Sequence, residues 1–387
     1  MNDGDFPRVK VARPQVGEEE IRAVEAVLRS DRYISGPQVE NFERKLAELV
    51  GTQHAVAVNS GTAALHAALV AVGVEPGDEV IVPALTFFST VTPVMHQAAV
   101  PVFADIDPVT YGMCPHDLVH RITPRTKAII PVHYFGYPVE MDGVLEVASK
   151  HGLRVIEDCA QAHGSAYRGQ VVGSIGDLGA FSFFATKHVT TGEGGAVTTN
   201  NGAWAEQMRL FRSHGLKGRN DHVMLGYNYR MTEMAGALGA VQLDRLADLN
   251  RARIANTEAL VRKIEGIDWL TVPSVPDHVV HTYFWCHIWV DEASLGFPTA
   301  ELIKRLGQRG IETRNRYTEP LYRQPLMTSA RPKILELAAG EHLPDYAHLY
   351  LPQVERIAGR VIGLPNRPDM TGAEIDRVAE VLHGIRR

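Results

Sequence analysis

From about residue 55 to 245 the chain alternates short apolar runs with longer helix-like stretches, a rhythm that few folds satisfy. HAVAVN (54–59) reads as a strand and SGTAALHAALVAVG (60–73) as a helix. EVIVPAL (79–85) leads into TFFSTVTPVMHQA, VPVFADID into a further helix-like stretch, and KAIIPVHYFG into MDGVLEVASKHG. LRVIEDCA, LGAFSFFAT and GGAVTTN are three more strand candidates. A strand that is apolar along its whole length is covered on both faces, as in a parallel sheet between two helix layers. The rhythm therefore predicts a three-layer α/β domain built on a mostly parallel sheet.

A chain of 387 residues is too long for one core. MTEMAGALGAVQLDRLADLNRARIANTEALVRKIEG reads as a long helix leading into a second domain. There, YFWCHIWVD (283–291) looks like an edge strand, and FPTAELIKRLGQRG like a helix with its own cap. The expected division has three parts. Residues 1–35 form an N-terminal segment with one helix, packing on the small domain. Residues 36–249 form the large α/β domain, and 250–387 a small C-terminal α+β domain.

The formal net charge of −6 gives no basic field for a phosphate backbone, so nucleic acid is not an expected partner. Cys114, Cys159 and Cys286 lie far apart with no CxxC pair, which points to a reducing compartment and away from disulfides or thiolate metal sites. The 17 histidines include no HExxH spacing, and no metal is expected. No apolar run reaches the length of a membrane span, and MNDGDFPRVK lacks the basic-then-apolar order of a secretory leader. Cytoplasmic localisation is the expectation.

Asp158 closes the buried run VIEDCA, where open α/β sheets place their ligand groups, and Lys187 follows another, FSFFAT. Pyridoxal phosphate (PLP) chemistry needs such a pair. The amine forms a Schiff base and shuttles a proton; the carboxylate keeps the pyridine nitrogen protonated. A loop lysine beside a turn-capping carboxylate has the same spacing, and the two residues alone leave both readings open. Ser60, Gly61 and Thr62 open an alanine-rich helix after a strand, which makes a phosphate cup or simply a helix cap. Thr86, Phe87 and Phe88 follow the EVIVPAL strand, where a phenyl ring is positioned to stack on a cofactor ring and at least one of the two to pack in the core. Ser182 is positioned to reach a phosphate or to bond the backbone. Gly173, Gly176 and Gly179 mimic a dinucleotide fingerprint, but GxxGxxG is the wrong spacing and lacks the strand–turn–helix setting.

NSGTAAL, GDEVIVPALTFFST, VFADIDP, IIPVHYFG, IEDCAQAHG, FSFFATKHVTTGEGG, RSHG and LGYNYRMTE, in this order, closely resemble the DegT/DnrJ/StrS family of sugar aminotransferases. That family belongs to the aspartate-aminotransferase (fold type I) superfamily, and the resemblance runs from near residue 10 to the C-terminus. It implies a PLP-transferase fold type I large domain and PLP as cofactor. Lys187 matches the lysine that carries the cofactor as an aldimine, Asp158 the partner of the pyridine nitrogen, and Gln161 a residue near the phenolic oxygen. Gly61, Thr62 and Ser182 match phosphate contacts, and Phe87 matches the stacking aromatic. Asn228 matches an asparagine that reaches the cofactor phosphate of the neighbouring subunit, which implies a homodimer with shared active sites. Arg230 beside it is a candidate contact for an anionic part of the substrate.

The activity this resemblance implies is ping-pong transamination. An amino acid, usually L-glutamate, gives its amine to the cofactor, and a keto group on a nucleotide-linked deoxysugar receives it. The alternative is a keto-cyclitol of the scyllo-inosose type aminated with L-glutamine. Relatives with histidine in place of the lysine dehydrate sugars; here Lys187 is present and His188 follows it, so that reading falls. Intact Lys187, Asp158 and Gln161 also argue against a scaffold without turnover. One segment departs from the family pattern: in RYTEPLYRQP (316–325), Arg316 and Tyr322 stand where many sugar members carry histidines, while Tyr317 is kept. Arginine offers a bidentate anion contact that histidine does not, and Arg316 and Tyr317 are candidate substrate contacts.

Overall fold

The structure, a computed structural model, describes residues 8–386; the first seven residues of the N-terminal segment lie outside the described residues. The alternating runs become one seven-stranded sheet. Its strands are β1 (His54–Val58), β2 (Glu79–Pro83), β3 (Val100–Ala104), β4 (Thr126–Ile129), β5 (Arg154–Asp158), β6 (Leu178–Ser182) and β7 (Gly195–Thr199). They lie in the order β1-β7-β6-β5-β4-β2-β3. Pairings are parallel from β3 through β6, whereas β7 runs antiparallel to both β6 and β1. Parallel neighbours need a crossover connection. Residues 183–194 carry no helix, so the chain can return only antiparallel.

Helices cover both faces. The main ones are α1 (Glu18–Leu28), α2 (Pro37–Val50), α3 (Gly61–Ala71), α4 (Met141–His151), α5 (Gly202–Phe211) and α6 (Glu233–Ile264). Val56, Val58, Val80 and Val82 enter one core with the alanines of α3, and the intervening Ala55, Ala57 and Ile81 enter the opposite layers. Helix α2 buries Val39, Phe42, Leu46 and Val50 at helical spacing; Pro37 starts it and Gly51, at φ +83°, ends it. Phe42 is fully buried and meets Phe183 edge-on at 4.9 Å, so truncating it to alanine would cost about 3–5 kcal/mol.

Helix α6 passes from this layer into a second core. Leu243 and Leu246 pack with Phe42 and Phe183, while Leu260 and Ile264 pack with Ile288, Leu302 and Leu306. The second core is an antiparallel sheet of β8 (Leu270–Thr271), β9 (Cys286–Val290) and β10 (Val361–Leu364), covered by α7 (Thr299–Gln308) and α8 (Gly372–His383). Val9 joins this core, whereas α1 lies along α6, with Glu20 bonded to Gln242 and Arg245.

Two local expectations are corrected. Strand β9 is central, not an edge, because β8 and β10 flank it from segments well away in sequence. Helix α7 has no side-chain cap of its own: Pro298 is at the N-cap, and the Thr299 N–H donates to Glu292 Oε1 at 2.7 Å instead. Among the described residues, no helix is long and apolar enough to cross a membrane.

Candidate active site

The carboxyl ends of β1, β2, β5 and β6 open into one cavity of about 320 Å³, the place where open α/β sheets present ligand groups. Ser60, Gly61 and Thr62 line it from the start of α3, Phe87 and Thr90 from beyond β2, and Asp158 and Gln161 from beyond β5. Ser182 and Lys187 enter from β6 and its loop. Phe284, Trp285, Arg316 and Tyr317 close it from the second half of the chain. Ten of the twelve residues singled out from sequence therefore share one cavity. Asn228, exposed, and Arg230, half-buried, do not line it.

The Lys187 amine sits 4.7 Å from the centre of the Phe284 ring. Burial penalises the ammonium and lowers its pKa to about 8; Asp158 opposes that shift and Arg316 adds to it. Asp158 is 5% exposed. Burial pushes its pKa above the usual carboxylate value, against two donors: Ala160 N–H to Oδ1 at 3.1 Å and Thr90 O–H to Oδ2 at 2.9 Å. The acid is thus held in place with acceptor capacity still free, and the amine stays neutral far more readily than an exposed lysine would.

Ser60 is the N-cap of α3, its Oγ accepting the Ala63 N–H at 3.1 Å. The N–H groups of Gly61 and Thr62 have no partner within the helix. A Cβ at Gly61 would stand 2.7 Å from Ser182 Cβ, and one at Gly195 would stand 2.1 Å from the Ser60 carbonyl oxygen. Only glycines let these three chain segments close around the cup. Phe87 exposes 54% of its surface, and its ring faces the cavity, whereas Phe88 packs on the core. Gln161 is fixed at both ends of its carboxamide: Oε1 accepts the Phe135 N–H at 3.0 Å, and Nε2 donates to Tyr317 Oη at 2.9 Å. Burial drives the Tyr317 pKa far up, so the phenol stays protonated.

The GxxGxxG run has a structural purpose. Glu157, fully buried behind Asp158, accepts the N–H groups of Gly173, Ile175 and Gly176 at 2.9, 2.8 and 2.7 Å. His133 adds a fourth donor: its Nδ1 accepts the Val139 N–H, which leaves the proton on Nε2, 3.0 Å from Glu157. His133, Glu157 and Cys159 cluster closely enough to suggest metal ligands, but the carboxylate and both imidazole nitrogens are already committed. His163 and His188, also buried, do not line the cavity; burial brings the His163 pKa down to about 3.

Sequence reasoning missed Thr90 and Phe284. TFFST did offer a signal for Thr90, since two threonines four apart past a strand end face the same way; Thr86 and Thr90 hydroxyls stand 3.2 Å apart. No local pattern marks Phe284, which arrives from the second half of the chain.

The DegT/DnrJ/EryC1/StrS aminotransferase family model matches residues 14–383. GDP-perosamine synthase of Caulobacter vibrioides is 38% identical over 388 residues, covering 98% of this chain and 99% of that one. DesV of S. venezuelae, solved in complex with a ketimine intermediate, superposes with a TM-score of 0.88 at 33% identity over 99% of both chains. DesI, solved in the presence of its TDP-sugar product, gives 0.87 at 31% identity, covering 99% of this chain and 94% of that one. A match over nearly the whole length, on a shared fold, makes this chain an aminotransferase of the DegT/DnrJ/EryC1/StrS family.

Proposed function

We propose that the protein is a PLP-dependent aminotransferase that moves an amino group from L-glutamate to a keto group on a nucleotide-linked deoxysugar. The observation that carries this reading is the single cavity in which a depressed-pKa lysine, Lys187, and a buried carboxylate, Asp158, face a helix start closed by glycines. Similarity to GDP-perosamine synthase, and to DesI with its TDP-sugar product, supports the class of acceptor.

The residues present fit the cofactor. Gly61 and Thr62 N–H groups, with the Ser60 and Ser182 hydroxyls, would hold its phosphate at the positive end of α3. Phe87 would cover the ring, and Asp158 would pair with the pyridinium. When bound, PLP supplies an electron-accepting ring that stabilises negative charge at the substrate carbon. Asp158, ionised by that pairing, would keep the ring protonated. Lys187 would remove and return the proton at that carbon; an amine whose pKa burial lowers to about 8 suits a group that acts as both base and acid. Gln161, braced by Phe135 and Tyr317, orients the ring's oxygen side. Arg316 and Tyr317 contact the substrate from the rim.

Asn228 and Arg230 belong in this reading to the cavity of a second copy, so the working unit is a homodimer with shared sites. The exposed aromatic and aliphatic side chains nearby, Leu225 and Tyr227, support a covered surface there.

The test is the absorbance spectrum of the purified protein and of Lys187→Ala, before and after L-glutamate and L-glutamine are added separately. A visible band that bleaches with one donor, and is absent in the variant, is expected. A protein that stays colourless after PLP is added would overturn the catalytic assignment. Turnover with scyllo-inosose and none with a panel of keto nucleotide sugars would overturn the acceptor class.

A further inference from the structure

Phe284, two residues before β9, is buried in the wall of the active cavity, and the Lys187 amine lies over its ring, 4.7 Å from the centre. A cation within about 6 Å of an aromatic face is attracted to the ring's electron-rich centre, more strongly where water is excluded. Among the described residues the amine makes no hydrogen bond and no ion pair, so the ring is its one directed contact.

Strained backbone delivers that ring. Tyr283 sits at φ +48° and Phe135 at φ +53°, a region that residues with side chains rarely adopt. Such backbone persists where its surroundings over-determine it, and it gathers at functional sites. Both residues are tied down here. The Phe284 N–H donates to the Phe135 carbonyl at 2.7 Å, and the Tyr283 carbonyl accepts Asn366 Nδ2 at 2.6 Å. The ring is braced by Trp285, stacked on it at 4.6 Å, and by the His188 ring at 5.7 Å. His188 follows Lys187 in the chain, and its Nε2 donates to the Thr282 carbonyl at 3.3 Å. The lysine loop and the segment 282–285 therefore meet at two adjacent points.

The charges around the amine are mixed. Asp158, at the end of β5, favours the ammonium, Arg316 on the rim opposes it, and Glu193 lines the same cavity. His163 and His188 are kept neutral by burial, and Tyr317 stays protonated.

We propose that Phe284 is a positioning residue for the transamination: its ring holds the Lys187 ammonium at one place on the cavity wall whenever that amine is free of the cofactor. This rests on the PLP reading of the site. The ring attracts the charged amine and gives little to the neutral one. Lys187 is therefore held still in the form that returns a proton and comes loose in the form that removes one.

Competitive labelling of the full-length, cofactor-free protein with a trace of acetic anhydride tests this. Acetylation of Lys187 at each pH, read by peptide mass spectrometry, gives the pH at which the amine loses its proton. Phe284→Leu keeps an apolar side chain and removes the ring. Its midpoint is expected to lie roughly half a unit to one unit below the wild-type value. Fluorinated phenylalanines at position 284 keep the ring's shape and drain its face of negative charge, so the midpoint is expected to fall stepwise with added fluorine. Phe284→Tyr is expected to restore the wild-type value. A thermal melt checks the fold of each variant, and the fluorine series carries the test by itself if the leucine variant does not fold. Equal midpoints across the series overturn the inference. A leucine shift that fluorination does not reproduce overturns it too, because the side chain then acts by shape alone. PLP added to the same samples separates the two readings. Capture by wild type with coincident midpoints sinks the role of Phe284 alone; no capture, with the midpoints still stepping down, sinks the cofactor reading.

Discussion

Thr90 Oγ1 donates a 2.9 Å hydrogen bond to Asp158 Oδ2, tying the loop after β2 to the end of β5. With the Ala160 N–H, it is what offsets the burial that raises the carboxyl's pKa. Thr90→Val keeps the shape and removes the donor. Hydrogen bonds to charged groups contribute about 1.5–3 kcal/mol, so PLP affinity by equilibrium dialysis is expected to fall roughly tenfold or more, and Thr90→Ser to restore most of it. Equal affinity in wild type and valine variant would remove Thr90 from any supporting role.

Lys187 gives a pH dependence with a definite sign. Folding lowers its pKa from 10.5 to about 8, so the amine loses its proton as pH rises through about 8. Only the neutral amine attacks a carbonyl. The rate at which apoprotein captures PLP, followed by stopped-flow absorbance, is expected to rise through about pH 8 and level off above it. A rate still climbing towards 10.5 would mean that burial does not tune this lysine.

Gly61 has no room for a methyl group, since a Cβ would stand 2.7 Å from Ser182 Cβ. Gly61→Ala is expected to keep the fold by circular dichroism while pushing the start of α3 off Ser182. PLP retention after gel filtration should drop at least about tenfold, the equivalent of about 1.4 kcal/mol. A fully retained cofactor would show that the phosphate lies elsewhere.

Glu157→Ala would strand four buried donors: three backbone N–H groups and the His133 imidazole. Losing one partner of such a buried network costs about 3–5 kcal/mol. Urea unfolding of the soluble fraction measures the loss, and a change below about 1 kcal/mol would contradict the network.

The sheet was legible because each of its strands is a local apolar run, and Lys187 and Asp158 were legible because both follow such runs. Thr90 and Phe284 escaped for the opposite reason: each matters through a contact with a distant segment. The glycines at 173 and 176 were correctly set aside as a dinucleotide loop, yet their use was invisible, because the charge their N–H groups cradle sits on the preceding strand at Glu157. The placement of β9 at the centre of its sheet depends on β10, more than sixty residues later, which no window of local sequence reveals. Asn228 and Arg230 stand apart from the cavity within one chain, so their proposed part in it came from resemblance, not from spacing.

Helix α6 has one further consequence. At about 1.5 Å per residue, its 32 residues make an unbroken rod of about 48 Å. One end is pinned where Glu233 accepts N–H groups from Gly36, Gln38 and Val39, and the other is sunk in the second core through Leu260 and Ile264. No proline interrupts it, so swinging the second core about a mid-helix hinge would mean breaking its own hydrogen bonds. The two cores are therefore joined through one continuous rod. A shift of one core against the other would be felt at both ends of the rod, at the Glu233 anchor and where Leu260 and Ile264 are buried.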